Sequence, residues 1–234
     1  MAIAYRSSSQ SAFDSVSSKA LAAPTGMAAG DIIIAVLSFV GSPTVTPTGS
    51  GWTTVAGLSG TTTRGVAYIR TATSADVATG TFTMSFSGSS SGVFGLVAYS
   101  GNPTFDVTNG SVFTGGNVNS MPAPSVTTTV AGDVVACVYI GEYPGVVSLT
   151  STLPGGVTSR YNASVSGTNV TGHMAVGDLV QATAAATPVE TATPNGWDAG
   201  IAVQVAVMAP SPPRGRRGYK QTIKGFRGRG VLTF

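Results

Sequence analysis

The chain has 234 residues, of which only 9% are charged and 42% hydrophobic, with 31 glycines and 13 prolines. Soluble domains usually carry about a quarter charged residues, so this composition suits a protein covered in part by neighbours in an assembly. A single cysteine, Cys137, excludes an internal disulfide frame, no C-x-x-C exists for zinc, and the longest apolar run, 32–40, is too short for a membrane helix.

The N-terminus, MAIAYRSSSQ, reaches polar residues at once, so no secretory signal peptide is expected. Runs rich in Val, Ile, Thr, Phe and Tyr then alternate with Gly, Ser, Pro and Asn, which is strand-and-turn patterning. Strands are predicted over 2–8, 31–40, 52–58, 65–71, 81–87 and 93–100. Within 81–87, Phe82, Met84 and Phe86 alternate with Thr and Ser, so one face is buried and the other wet. The run Gly88-Ser89-Ser90-Ser91-Gly92 predicts a flexible hairpin turn. A short Gly/Asn-rich connection, 109–119, leads to further strands over 132–140, 157–161, 173–181, 189–193 and 199–208. Cys137 lies inside one of these runs and reads as a small buried hydrophobe. No window carries a helical apolar stripe with caps, and the alanine-rich 181–186 reads as a strand end and turn. The expectation is an all-β protein with under about a tenth helix.

The chain repeats itself weakly. Gly30-Asp31-Ile32-Ile33-Ile34-Ala35-Val36 answers Gly132-Asp133-Val134-Val135-Ala136-Cys137-Val138. Val66-Ala67-Tyr68-Ile69 answers His173-Met174-Ala175-Val176, and Phe94-Gly95-Leu96-Val97-Ala98 answers Ile201-Ala202-Val203-Gln204-Val205. Two sheets, each with a greasy face, make a sandwich. The expected architecture is an antiparallel β-sandwich, jelly-roll-like, over 1–210, built from pseudo-repeats 1–105 and 106–210. One compact domain is favoured over two in tandem.

Candidate chemistry is thin. Gly88-Ser89-Ser90-Ser91-Gly92 matches G-x-S-x-G, but the nucleophile elbow needs a strand-turn-helix and a downstream acid and histidine. The only histidine, His173, is five residues from Asp178 along one strand, so the two point to opposite faces. Replacing Ser90 or His173 by Ala is therefore expected to leave the fold intact. Asp31 and Asp133 each follow a glycine at a strand start, where the carboxylate accepts local backbone N–H bonds. No D-x-D-x-D cluster offers a calcium loop. Catalytic residues, cofactor and metal are all expected to be none. Trp52 and Trp197 sit beside glycines at strand edges and have two readings: plugs of the sandwich ends, or contacts to a host-surface glycan.

The last 21 residues are different in kind. They hold Arg214, Arg216, Arg217, Lys220, Lys224, Arg227 and Arg229 and no acid, a charge of +7. The rest of the chain has five Lys/Arg against nine Asp/Glu, a charge of −4. Pro210-Ser211-Pro212-Pro213 makes an extended exit into this arm, 211–234. Tyr219, Phe226, Leu232 and Phe234 are apolar anchors between the charges. Three readings stand: an arm lying on a neighbouring subunit, an Arg/Gly segment on nucleic acid, or a solvated end. The apolar terminus Val231-Leu232-Thr233-Phe234 favours the first, because it suits strand addition to a partner.

Across 1–210, the order Gly-Asp-Ile-Ile-Ile-Ala, then Gly51-Trp52, then Ala67-Tyr68-Ile69-Arg70-Thr71-Ala72, then Val97-Ala98-Tyr99-Ser100-Gly101 resembles a β-sandwich module of tailed-phage virion proteins, seen also in some bacterial surface proteins. The resemblance implies a non-enzymatic virion structural protein, made in the host cytoplasm without membrane contact. A minor tail protein is the first expectation; a capsid decoration or head-fibre protein, or a carbohydrate-binding surface module, is the alternative. Its partners would be other virion proteins and further copies of itself.

Overall fold

The computed structural model describes residues 2–39, 41, 43–55, 65–113, 116–145, 147–166 and 170–210. The whole arm, with every basic and apolar residue singled out in it, lies outside these residues, as does the far half of the expected 52–58 strand. The described residues form fourteen strands and one short helix. The strands are β1 (Ala4–Ala22), β2 (Ile32–Phe39), β3 (Val45–Pro47), β4 (Thr53–Thr54), β5 (Gly65–Thr71), β6 (Thr81–Ser100), β7 (Thr104–Phe113), β8 (Met121–Ala123), β9 (Asp133–Pro144), β10 (Ser151–Thr152), β11 (Thr158–Ser166), β12 (Val170–Gln181), β13 (Glu190–Pro194) and β14 (Ala199–Met208). The helix α1 (Ser74–Thr79) sits between β5 and β6.

All pairings are antiparallel, and the two halves have the same topology. The first sheet runs β1-β6-β2-β5-β4 and the second β7-β14-β9-β12-β11. In each, the first strand pairs with the last, and the last with the second. β2 and β9 are the counterparts: IIIAVLSF is buried along its whole length, and so is Val134–Ile140. Each central strand follows a glycine in the left-handed region, Gly30 at φ 92° and Gly132 at φ 86°, which accounts for the repeated Gly-Asp.

The two sheets face each other through one apolar core. Ile32, Ile34, Val36, Ala67, Ile69, Val93 and Val97 from the first meet Val134, Ala136, Val138, Met174, Val176, Ile201 and Val203 from the second. The core faces match when Val93 is set against Ile201, Val97 against Val205 and Tyr99 against Val207. The sequence alignment of Phe94 with Ile201 is therefore one residue out, which in a strand reverses the face. Several polar groups at this joint are paired. Arg160 holds Asp178 at 2.8 Å and lies 5.0 Å above the Tyr5 ring, and the Ser38 hydroxyl donates to the Gly141 carbonyl at 2.9 Å.

A third layer covers the back of each sheet. In the first half it comes from β1 and β6 themselves. Residues 92–99 of β6 pair with β2, whereas 81–86 pair with the end of β1 and with β3. Phe82, Met84 and Phe86 pack with Ile33, Ala35, Leu37, Phe94 and Leu96 in one cluster, so β6 folds back over its own sheet. Phe13 stacks on Phe86 with ring centroids 4.9 Å apart. In the second half the same layer is a separate sheet, β8-β13-β10, closing over Cys137, Tyr139, Ala175 and Ala202. The result is four layers and an all-β sandwich of two repeats, each with a core of its own and a third core shared between them.

This corrects several sequence expectations. Gly88–Gly92 is no hairpin turn: it is the bend in one continuous strand, and β1 bulges beside it on either side of Val16. Gly92 lies against the backbone of the neighbouring strand, where a Cβ would stand 2.0 Å from the Ser38 carbonyl oxygen. β1 runs on to Ala22, well past the expected end at residue 8, and β7 is a strand where the pattern suggests none. Phe113, Tyr143 and Tyr161 lie in β7, β9 and β11. The helix α1 is a single capped turn, with Thr73 and Asp76 forming a capping box.

A bent strand and a flexible turn respond differently to one added methyl. Gly92→Ala forces backbone apart and should cost about 1–3 kcal/mol or more. Gly88→Ala, with nothing within 4 Å of its Cβ, should be close to neutral. Chemical denaturation of both variants checks this, and equal stability of the two would return the segment to a loose turn.

Candidate functional site

Trp197 is fully buried between β13 and β14, with its Nε1 donating to the Thr150 carbonyl at 3.2 Å. It offers no face to a sugar ring, so the glycan reading fails for Trp197 and the plug reading holds. Its ring stands 5.0 Å from that of His173, which is also buried. His173 and Asp178 do point to opposite faces of β12: His173 joins the Trp197 side, and Asp178 the joint between the repeats.

The fold gives His173 partners that no sequence spacing announced. Ser151 on β10 stands 2.9 Å from its Nε2, and Ser164 on β11 stands 2.9 Å from its Nδ1. The Ser164 hydroxyl donates to the Leu149 carbonyl, so its oxygen receives the Nδ1–H and Nε2 is left to accept from Ser151. The contact resembles a serine–imidazole pair, but a hydroxyl occupies the place where a triad carries a carboxylate. No carboxylate is placed there to stabilise an imidazolium. His173 is a core residue with both nitrogens engaged, so its replacement is expected to cost stability. Ser90 is buried in the β6 bend, far from elbow geometry. Cys137 is buried, and that burial pushes its thiol well above its usual range.

Trp52 lies elsewhere. It is half-buried, and its ring meets Tyr68 and Phe82 edge-on, at 6.4 and 5.7 Å. The Arg70 guanidinium lies 5.2 Å over its face and is tied to Asp76 at 2.7 Å. Asp76 in turn accepts from the Thr73 N–H and hydroxyl, both at 2.7 Å. The one-turn helix thus works as a bracket: its cap fixes the carboxylate, and the carboxylate fixes the arginine. Beside this bracket runs an open groove of about 470 Å³, lined by Thr48, Gly49, Ser50, Arg70, Asp76, Thr79, Phe82 and Thr83. Arg70 Nε is buried there without a hydrogen-bond partner. The Phe82 ring, a planar cation and a rim of hydroxyls suit a neutral polyhydroxyl ligand. The missed signal was Thr-x-x-Asp at 73–76, a capping box readable from sequence.

Among the described residues no cluster of three or more His, Cys, Asp or Glu is placed to hold a metal, and no helix is long and apolar enough to cross a membrane. No family model, no curated protein and no solved structure matches the chain.

Burial lowers the His173 pKa to about 4 from the ordinary 6.5. Below pH 6.5 the unfolded chain takes up this proton, while the folded form refuses it down to about 4. The unfolded state then binds more protons, so stability falls as pH falls through this window. The loss should reach about 3 kcal/mol by pH 4. Replacing His173 by Gln should lower stability at pH 7 but flatten its dependence on pH between 6.5 and 4. Denaturation at several pH values checks this; an unchanged slope would mean another group sets it.

Proposed function

We propose that the protein is a non-enzymatic structural component of a tailed-phage virion, a minor tail protein held in place by its basic arm. The carrying observation is the partition of charge, −4 on residues 1–213 and +7 on the last 21. Three of the body's arginines, Arg6, Arg70 and Arg160, are spent on ion pairs within the fold. Cationic attachment therefore falls to the arm. Its charges give a salt-sensitive attraction over about 8–10 Å. Anchors such as Phe226, Leu232 and Phe234, once buried on a partner, would each add about 1.5–3 kcal/mol that salt leaves intact. A decoration or head-fibre position would use the same attachment logic on a capsid surface.

A second reading is glycan recognition, and the groove beside the Arg70–Asp76 bracket favours it. Under this reading Phe82 supplies the apolar wall, and Arg70 with the threonine hydroxyls supplies the polar contacts. Thr83→Ala, on the groove wall, would then weaken binding on a glycan array while thermal stability changes little.

Truncation after Pro213 tests the primary reading. The shortened protein should keep its β-sheet circular dichroism spectrum and melting temperature yet be missing from assembled particles. Removing 230–234 alone should reduce incorporation in part. Full occupancy by the truncated protein would place the docking face on the body instead.

A further inference from the structure

The internal duplication allows one half to be compared with the other. Asp31 stands just before β2 and is buried. Arg6 Nε lies 2.6 Å from its Oδ2, Arg6 Nη2 donates to Oδ1 at 3.1 Å, and the Ala28 N–H donates to Oδ2 at 2.8 Å. Arg6 reaches it because it is the residue that bulges out of β1 between Tyr5 and Ser7. The Asp31 carboxylate is therefore fully compensated.

In the second half the same positions carry different chemistry. β7 bulges between Phe105 and Val107, opposite Ala206 and Val207, and the bulged residue is Asp106. Asp133, counterpart of Asp31, opens β9 and is wholly buried. Neither of its oxygens receives a hydrogen bond from the described residues. Burial, and then the Asp106 carboxyl, favour its protonated form while the Val130 amide opposes them, but no donor among the described residues reaches it in bonding geometry. The local backbone bonding expected of both Gly-Asp turns thus holds for Asp31 and fails for Asp133. Asp106 accepts from the Thr129 N–H at 2.9 Å and hydroxyl at 2.7 Å. A carboxylate occupies the place of the guanidinium, beside a carboxylate that has no donor. A buried carboxylate in that state is costly unless a positive charge joins it.

We propose that Asp106 and Asp133, with Thr129 beside them, form a site for a hard divalent cation, taking calcium in the position that the Arg6 guanidinium fills in the first half. Carboxylate and hydroxyl oxygens are the donors such an ion prefers, and water completes its shell. Water has access here, since Asp106 is half-buried and Thr129 exposed. A two-carboxylate site belongs at the weak end of calcium affinities, about 0.1–1 mM.

The test uses the full chain freed of metal by chelation. Calcium chloride at about ten times Kd should raise the melting temperature by about 3–6 °C, and potassium chloride at equal ionic strength should not. The rise should vanish in Asp106→Asn, and isothermal titration should then show no calcium uptake. Asp106→Arg, which restores the pairing of the first half, should melt higher than the wild type without calcium and ignore added calcium. Should that variant not fold, Asp106→Asn with titration decides alone. No calcium shift in the wild type, or an equal shift in Asp106→Asn, overturns the proposal. So does stabilisation by acid alone, because the missing charge would then be a proton.

Discussion

Two strands that are apolar on both faces dictate this architecture. Neither β2 nor the buried part of β9 can leave a side in water, because each presents Ile, Val, Leu or aromatic side chains above and below. Facing the two sheets together satisfies one side of each. The other side needs a further layer, and the chain supplies it locally in both halves. In the first, β6 continues past its bend and lies back over the strand it has just paired with. In the second, the chain breaks at Asn195–Asp198 and the short strands do the same work. A full-length buried large side chain contributes about 1.5–3 kcal/mol, so leaving either back face open would forfeit more than a domain's whole margin of about 5–15 kcal/mol.

This layering also decides where ligand chemistry can reside. Several interior polar side chains are consumed by the fold: His173 by two serines, Asp178 by Arg160, Gln204 by Thr187, Pro188 and Ala123. Preorganised groups with open access occur at the rims, where bulges and short connections leave the ladder. The Arg70–Asp76 bracket and the Asp106–Asp133 pair are both rim features. Each combines a residue that is about nine-tenths buried or more with neighbours that solvent reaches.

The strands with β-branched runs were legible because burial on both faces writes an unbroken apolar segment. Gly65–Thr71 and Ala199–Met208 have the bounds the sequence suggested. The second half of β1 and all of β7 were not legible, since edge and covering strands are half-exposed and their Ser, Asn and Gly read as loop. The bend at 88–92 misled for a related reason. Glycine and serine there serve a close approach of backbones, which composition cannot tell from flexibility. At the candidate sites, Trp52 was visible as an aromatic beside glycine, but its bracket needed the α1 cap. The partners of His173 come from β10 and β11, and their convergence depends on strand order. Arg6 and Asp106 become comparable only once both are seen as bulge residues, a fact of register that periodicity does not carry.

The two repeats show which positions the core constrains and which it leaves free. Inward faces are kept in kind: Ile32, Ile34 and Val36 stand where Val134, Ala136 and Val138 do. The glycines at φ 92° and 86° are kept because no other residue adopts that turn cheaply. At the bend the halves part ways. The first fills the passage from outer to inner layer with Gly and Ser and lets the strand run on. The second breaks the strand and seals the gap with Trp197. Both answers meet the same demand for a closed back layer, so packing alone does not choose between them. The exchange of arginine for aspartate at the β1 and β7 bulges is different, because it removes a compensating charge from a buried carboxylate. Packing tolerates that change in shape, but electrostatics makes it costly in isolation, which is why a cation in place of the Arg6 guanidinium would stabilise the second half.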